Sequence, residues 1–311
     1  MRLGIDIMGG DYAPNVPLEG TVMALKHLPK DVEVSLFGNK EQIESYLIEK
    51  NIHDQRLFVV HAPEVIEMHE SPAAAFSQKT NSSITVGFQH LKDNQINAFA
   101  SAGSTGAMMV GAMQVIKSIE GIIRPCIASI IPKPNGNFSI IADVGLNPDC
   151  KPDVLYQYAI IASKYSQFVL GIKQPKVALL NIGTEPEKGN LLVKATYDTM
   201  NNSKDFNFIG NIESNELFTD KADVLICDGF VGNIILKMAE GFYSLLKERN
   251  LTDDFIQKLN FEIYGGTPIL GVNKTIIIGH GASTALAIMN MILHMYRVVK
   301  AELVEKIKNF F

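Results

Sequence analysis

The feature that most restricts this chain's fold is a unit repeated along it. A short apolar run is followed by a turn of glycine and small polar residues, and then by apolar residues at helical spacing. The clearest copy spans residues 96–113. Residues 96–100 read as a short buried strand. Gly103, Ser104, Thr105 and Gly106 crowd the turn, and Ala, Met and Val follow at helical period. Strand, tight turn and helix in that order leave free backbone N–H groups at the helix start, where the helix dipole favours an anion. Glycine lets the backbone approach a ligand closely. The same residues also suit a plain strand-to-helix turn with Ser or Thr as the N-cap. This stretch alone does not separate the two readings.

Recurrence shifts the balance. Similar turns stand at MGGDYAPN (8–15), IGTEPEKGN (182–190), DGFVGN (228–233) and GHGAST (279–284). In an open parallel sheet such turns lie along one edge, at the strands' carboxyl ends, where ligands bind. Five of them point to one composite site for a phosphate-bearing ligand.

The alternation predicts strands over 3–7, 33–37, 57–60, 176–181, 206–209, 224–227 and 275–278. It predicts helices over 16–28, 41–49, 83–91, 154–169, 191–200, 233–247 and 283 to about 307. Residues 126–131 and 138–142, joined by PKPNGN, read as an antiparallel hairpin because Asn135-Gly136 suits a tight turn. Residues 64–81 are too polar and proline-broken to assign. The expected fold is α/β, a doubly wound and mostly parallel sheet with one antiparallel hairpin. It is expected to form a single domain over 1–311.

The net charge of −5 argues against a general nucleic-acid binder. Cys126, Cys150 and Cys227 are far apart and form no CxxC or Cys/His zinc spacing, so no metal is expected and a reducing cytoplasm is the simplest compartment. The first residues run straight into a strand pattern with no signal-peptide layout. Residues 282–299 are long and largely apolar, but Ser283, Thr284, Asn290, His294 and Arg297 interrupt them. A buried helix is expected there rather than a membrane span.

Neither GxGxxG nor Walker A is present. Gly279-His280-Gly281 is followed by Thr284 where the third glycine would stand, and 183–189 has the wrong spacing. Lys188, before Gly189 and Asn190, could neutralise a phosphate or a developing oxyanion, or be an ordinary surface lysine. In DGFVGN, Asp228 and Gly229 open a helix. Asp228 could orient a lysine or merely cap, and Asn233 offers an amide N–H. His280 sits between two glycines after a strand, where a side chain reaches the ligand edge. Asp143, Gly145 and Asn147 close the hairpin strand and could be turn chemistry alone. Asp6 and Asp11 flank the first turn. Cys227 lacks a local activating partner and reads as a buried strand thiol.

Taken together, MGGD, SAGSTGA, RPCIA, DVGLNPDCKPD, LLNIGTEPEKGN, FIGNIE, ADVLICDGFVGNIILK, YGGTPILG and GHGAST stand in the order found in the PlsX family of bacterial acyl-acyl-carrier-protein:phosphate acyltransferases. The chain resembles that family over nearly its whole length. The resemblance implies a Rossmann-like α/β/α sandwich related to phosphate acetyltransferases and isopropylmalate-type dehydrogenases. It implies a homodimer that needs no cofactor and moves a long fatty acyl group from acyl carrier protein to inorganic phosphate. The acyl phosphate would pass to a membrane glycerol-3-phosphate acyltransferase at the entry to phospholipid synthesis, placing the protein in the cytoplasm, peripheral to the inner membrane face.

Catalysis is then expected from Lys188, Asn233 and His280. Binding is expected from Gly103, Ser104, Thr105, Gly106, Asp143, Asn147, Asn190, Asp228 and Gly229. Direct attack by phosphate, without a covalent acyl-enzyme, follows from the absence of any activated Cys or Ser. The chain departs from the family pattern at Ser104 (commonly Asn), Leu191 (commonly Glu), Ile278 (commonly Lys) and Thr284 (commonly Asp). Residues 248–264 are short where many relatives carry a longer apolar hairpin linked to membrane attachment. Two rival readings remain, an isopropylmalate-type dehydrogenase and a non-catalytic carrier-protein binder.

Overall fold

The computed structural model describes residues 1–311. In chain order the elements begin with β1 (Arg2–Asp6), α1 (Asn15–Leu25), β2 (Glu33–Gly38), α2 (Lys40–Glu49), β3 (Leu57–His61), α3 (Pro72–Gln78), α4 (Ser83–Lys92), β4 (Ala98–Ser101) and α5 (Thr105–Val110), which runs into a π-helical segment, Gly111–Ile116. They continue with β5 (Cys126–Pro132), β6 (Phe138–Ala142), α6 (Pro152–Phe168), β7 (Lys176–Leu180), α7 (Leu191–Asn201), β8 (Asn207–Ile212), β9 (Val224–Ile226), α8 (Gly229–Glu248) and α9 (Asp254–Gln257). The chain closes with β10 (Thr267–Leu270), β11 (Thr275–Ile278), α10 (Ala285–Lys300) and α11 (Leu303–Lys308). It packs as two compact units. Unit 1 holds Met1–Ser118 and Phe261–Val304, and unit 2 holds Ile119–Asn260 and Glu305–Phe311.

In unit 1 the strands run in the order β3-β2-β1-β4-β11-β10, parallel except for β10 against β11. β4 (AFAS) is buried throughout, as expected of a strand covered on both faces. Phe37, Phe76, Phe88 and Phe99 form an edge-to-face cluster with ring centroids 5.5–5.9 Å apart. Gly87 of α4 and Gly111 of the π-helical segment leave the room that Phe99 and Phe88 fill. Gly20 of α1 lets that helix sit against Ala285 and Ile288 of α10.

In unit 2 the order is β5-β6-β9-β7-β8, parallel from β6 to β8, with β5 antiparallel to β6. Lys133, 1% exposed, places its ammonium 2.8 Å from Asp223 and 3.0 Å from Asp220. Asp223 also accepts the Lys176 N–H, so one buried ion pair ties the hairpin to the start of β7.

The α/β class, the parallel pairing and the 126–142 hairpin stand as expected. Four local readings differ. The 64–81 stretch contains α3. β10 adds a second antiparallel pair; its Pro268 and four-residue length hide it among loop residues. α8 starts at Gly229 rather than 233 because the Asp228 side chain accepts the Val231 N–H and caps the helix there. The last helix is two, because Glu302 adopts a left-handed backbone, φ 52°. No helix is long and apolar enough to cross a membrane.

Candidate active site

Unit 1 has a topological switch point. From β1 the chain moves outward through α1 to β2 and β3, whereas β4 and then β11 lie on the other side of β1. β1, β4 and β11 are mutually parallel and in register, Ile5 beside Ala100 and Ser101 beside Ile278, so their carboxyl ends share an edge. In open α/β sheets this is the place where ligands bind.

The three turns that leave those ends meet. The Gly279 N–H donates to the Ser101 carbonyl at 2.8 Å, and the Asp11 N–H donates to the Gly281 carbonyl at 2.8 Å. Gly10, with φ +103°, lies against Ala102 and Gly281, and Gly103 faces the Gly9 backbone. The expected convergence of glycine-rich turns is therefore observed within unit 1 for MGGD, SAGSTG and GHGAS.

Asp6 holds two of these turns together from beneath. Its carboxylate is 1% exposed and accepts the Ser101 hydroxyl at 2.6 Å and the Met8 N–H at 2.9 Å. The Ser101 oxygen in turn accepts the Gly103 N–H at 2.9 Å. Burial pushes the Asp6 carboxyl above the usual carboxylate range, partly offset by the hydrogen bonds from Ser101 and Ser83. In the sequence Asp6 is marked only by its position beside the turn. The available signal was a carboxylate ending a strand whose other residues are apolar.

Ser104 caps α5, accepting the Ala107 N–H at 3.3 Å, and is itself buried. Gly103 is buried, Thr105 exposed and Gly106 half-buried against Pro72. His280 is exposed. Its ring packs on Phe261, with centroids 4.8 Å apart, and its Nδ1 accepts the Ala282 N–H at 3.2 Å.

In unit 2 the turns after β6 and β9 meet. Asp143 is fully buried and accepts N–H groups from Ile127 (3.0 Å), Leu146 (3.3 Å) and Asn147 (2.6 Å). Burial raises its carboxyl, and those donors oppose the rise. Asn147 donates through its amide to the Pro125 carbonyl at 2.8 Å, and its own carbonyl accepts the Gly229 N–H at 2.8 Å. Asp143, Asn147 and Gly229 thus brace the turn. Asp228 caps α8, and Asn233 stands exposed beside Gly145. Cys227 is buried and its thiol is pushed well above its ordinary value by burial.

Lys188 lies on the exposed loop after β7, where its carbonyl accepts the Asn181 amide at 3.1 Å. Asn190 caps α7 by accepting the Val193 N–H at 2.9 Å. The Asn211 amide donates to the Glu185 carbonyl at 3.0 Å and anchors the same loop. Lys188 and Asn233 are thus exposed, whereas Asp143 and Gly229 are enclosed.

Residues 1–306 match the family described as Fatty acid synthesis protein. A phosphate acyltransferase of Dictyoglomus turgidum is 40% identical, covering 99% of this chain and 96% of the relative. One from Thermoanaerobacterium thermosaccharolyticum is 42% identical with the same coverage, 99% and 96%. Among solved structures, a phosphotransacetylase from Streptococcus pyogenes superposes with a TM-score of 0.65 at 17% identity, covering 98% of this chain and 94% of that one. That last likeness shows the Rossmann-like fold.

Proposed function

The chain belongs to the fatty acid synthesis protein family, the PlsX family of phosphate acyltransferases, and is an acyltransferase; from that premise we propose the reaction it performs and the residues that perform it. The donor is a long-chain acyl-acyl carrier protein and the acceptor is inorganic phosphate. The product, acyl phosphate, is passed to a membrane glycerol-3-phosphate acyltransferase at the start of phosphatidic acid synthesis. The enzyme acts as a cytoplasmic homodimer, peripheral to the membrane, without cofactor, metal or nucleic acid. Residues 1–311 work as one acyltransferase domain.

The observation that carries this reading is the meeting of three glycine-containing turns at the switch point of unit 1. Backbone amides among Gly103, Ser104, Thr105 and Gly106 are the proposed phosphate cradle. Phosphate is already an anion at neutral pH, so it needs orientation and removal of water more than a strong base. One phosphate oxygen attacks the thioester carbonyl carbon. The carbonyl oxygen takes up negative charge in a tetrahedral intermediate. The C–S bond then breaks, and the carrier-protein thiolate leaves and takes a proton from water.

Lys188 and Asn233 are the proposed stabilisers of the developing oxyanion, by charge and by amide N–H. Asn190 and Asp228 shape the starts of their helices, while Asp143, Asn147 and Gly229 hold their turn in place. No residue is acylated in this reading: burial raises the three thiols above their ordinary values, and Ser101, whose hydroxyl meets the Asp6 carboxylate, is itself buried.

The test follows release of free carrier protein and formation of acyl phosphate from palmitoyl-acyl carrier protein and phosphate, with phosphate omitted in a parallel reaction. Phosphate-dependent turnover that drops by about 10²-fold or more in Lys188→Ala supports the reading. Tight binding of donor without turnover, or turnover only with a nicotinamide cofactor and a hydroxy acid, would replace it with one of the rivals.

A further inference from the structure

We propose that His280 serves as a neutral imidazole that donates a hydrogen bond through Nε2 to a phosphate oxygen, and that it does not act as a general base. The inference deepens the proposed function and rests on its reading of the three converging turns of unit 1, the one bearing His280 among them, as the phosphate site.

The other ring nitrogen is already engaged. The Ala282 backbone N–H points at Nδ1 from 3.2 Å. A backbone N–H can only donate, so Nδ1 must present its lone pair. Neutral imidazole carries one N–H and one acceptor nitrogen, and the proton is thereby assigned to Nε2. A protonated ring would carry a hydrogen on both nitrogens and set the Nδ1–H against the Ala282 N–H.

The surrounding turn keeps this arrangement in place. The His280 carbonyl accepts both the Ser283 N–H at 2.9 Å and the Ser283 hydroxyl at 2.5 Å. Those two bonds close the turn that brings Ala282 back to the ring. The Gly281 carbonyl is held by Asp11, the Gly279 N–H by Ser101, and the Phe261 ring lies over the imidazole. Flipping the ring would turn Cδ2, which accepts no hydrogen bond, toward the Ala282 N–H and sacrifice that bond. What remains on the exposed side chain is one N–H donor, which suits an anionic oxygen and cannot accept a proton.

The tautomer is read by two-bond 1H–15N correlation spectra of protein labelled with 15N-histidine, with the His280 signals assigned by their loss in His280→Gln. The expected pattern is a protonated Nε2 and an unprotonated Nδ1. In the kinetic arm, the Gln amide N–H reaches about as far as Nε2 and the Asn amide does not. His280→Gln should therefore stay within about tenfold of wild type, mainly through a raised KM for phosphate, while His280→Asn and His280→Ala fall by about 10²-fold. A protonated Nδ1 overturns the proposal by itself. So does a Gln variant as inactive as Ala whose loss coincides with disappearance of an acid limb in kcat/KM. Full turnover in His280→Ala overturns the donor role whatever the tautomer. Failure of the function reading is seen separately, as wild-type protein without phosphate-dependent turnover.

Discussion

The Ser101 hydroxyl donates to the Asp6 carboxylate at 2.6 Å while its oxygen accepts the Gly103 N–H at 2.9 Å. One side chain thus joins the end of β1 to the turn after β4, at a site without access to water. Ser101→Ala leaves the Gly103 N–H and one carboxylate oxygen without this partner. A buried group so stranded costs about 1–3 kcal/mol, and a loss of about 2 kcal/mol is expected in urea unfolding. The carboxyl is raised in the folded state, so its ionised form is the less stable one there. Its contribution is fully present below the unfolded carboxylate pKa and declines as pH rises through the folded one. Asp6→Asn removes that decline. Urea midpoints of both proteins across the acidic range check the difference in slope.

Two glycines on α8 predict opposite outcomes for the same substitution. A Cβ on Gly232 would collide with the Asp143 carbonyl oxygen, a backbone atom that cannot step aside, and would also press on the Cys227 sulfur at 3.1 Å. Around Gly241 nothing lies within 4 Å. Gly232→Ala should lower stability by about 2 kcal/mol or more through overpacking. Gly241→Ala should raise it by about 0.5–1 kcal/mol, the helix propensity difference alone. Equal effects at the two sites would mean that the turn after β6 does not press on α8 as described. The comparison also tests placement of Asn233, one residue beyond Gly232.

The three thiols should behave as packing groups. Burial lifts Cys126 and Cys227 well above their ordinary value and lifts the half-buried Cys150 to about 11. At pH 8 a thiol at about 11 is roughly one part in a thousand thiolate, compared with about a quarter for a free cysteine. Iodoacetamide should therefore modify the native protein slowly and the urea-unfolded protein fast. Incubation with acyl donor alone should leave no acylated cysteine in the mass spectrum. A rapid native adduct on Cys150 would contradict the burial assignment.

Much of the architecture was readable because glycine and helix-capping residues fall at strand ends. Ser104, Asn190, Asp228 and Thr284 each cap the helix that follows them, and those positions are visible in the primary structure. Pairing order is not local information. That β1, β4 and β11 are neighbours, and so bring the turns at 8–11, 101–105 and 279–283 together, depends on contacts across more than 170 residues of chain. The division of labour among polar residues was equally hidden. Asp143 and Asn233 look alike as site candidates in a string of letters. One is enclosed by backbone donors and the other is exposed, a difference set by packing alone. Asp6 is equally inconspicuous in the sequence, because its partner Ser101 lies 95 residues away.

The buried imidazole of His294 on α10 makes the fold sensitive to acid. Burial, with Arg297 adding repulsion, lowers its pKa to about 4, compared with about 6.5 for an unfolded histidine. A neutral imidazole is therefore what the folded state accommodates. As pH falls below about 6.5 the unfolded chain binds a proton here that the folded chain does not, and stability drops with decreasing pH. The loss continues until pH nears the folded value of about 4, by which point it amounts to about 3 kcal/mol. His294→Gln removes the titration, so its stability curve should be shallower by that amount between pH 6.5 and 4 even if its stability at pH 8 is lower. Chemical denaturation at half-unit pH intervals measures both curves. Parallel slopes for wild type and variant would show that the imidazole takes up its proton in the folded protein, in conflict with its enclosed position against the core of unit 1.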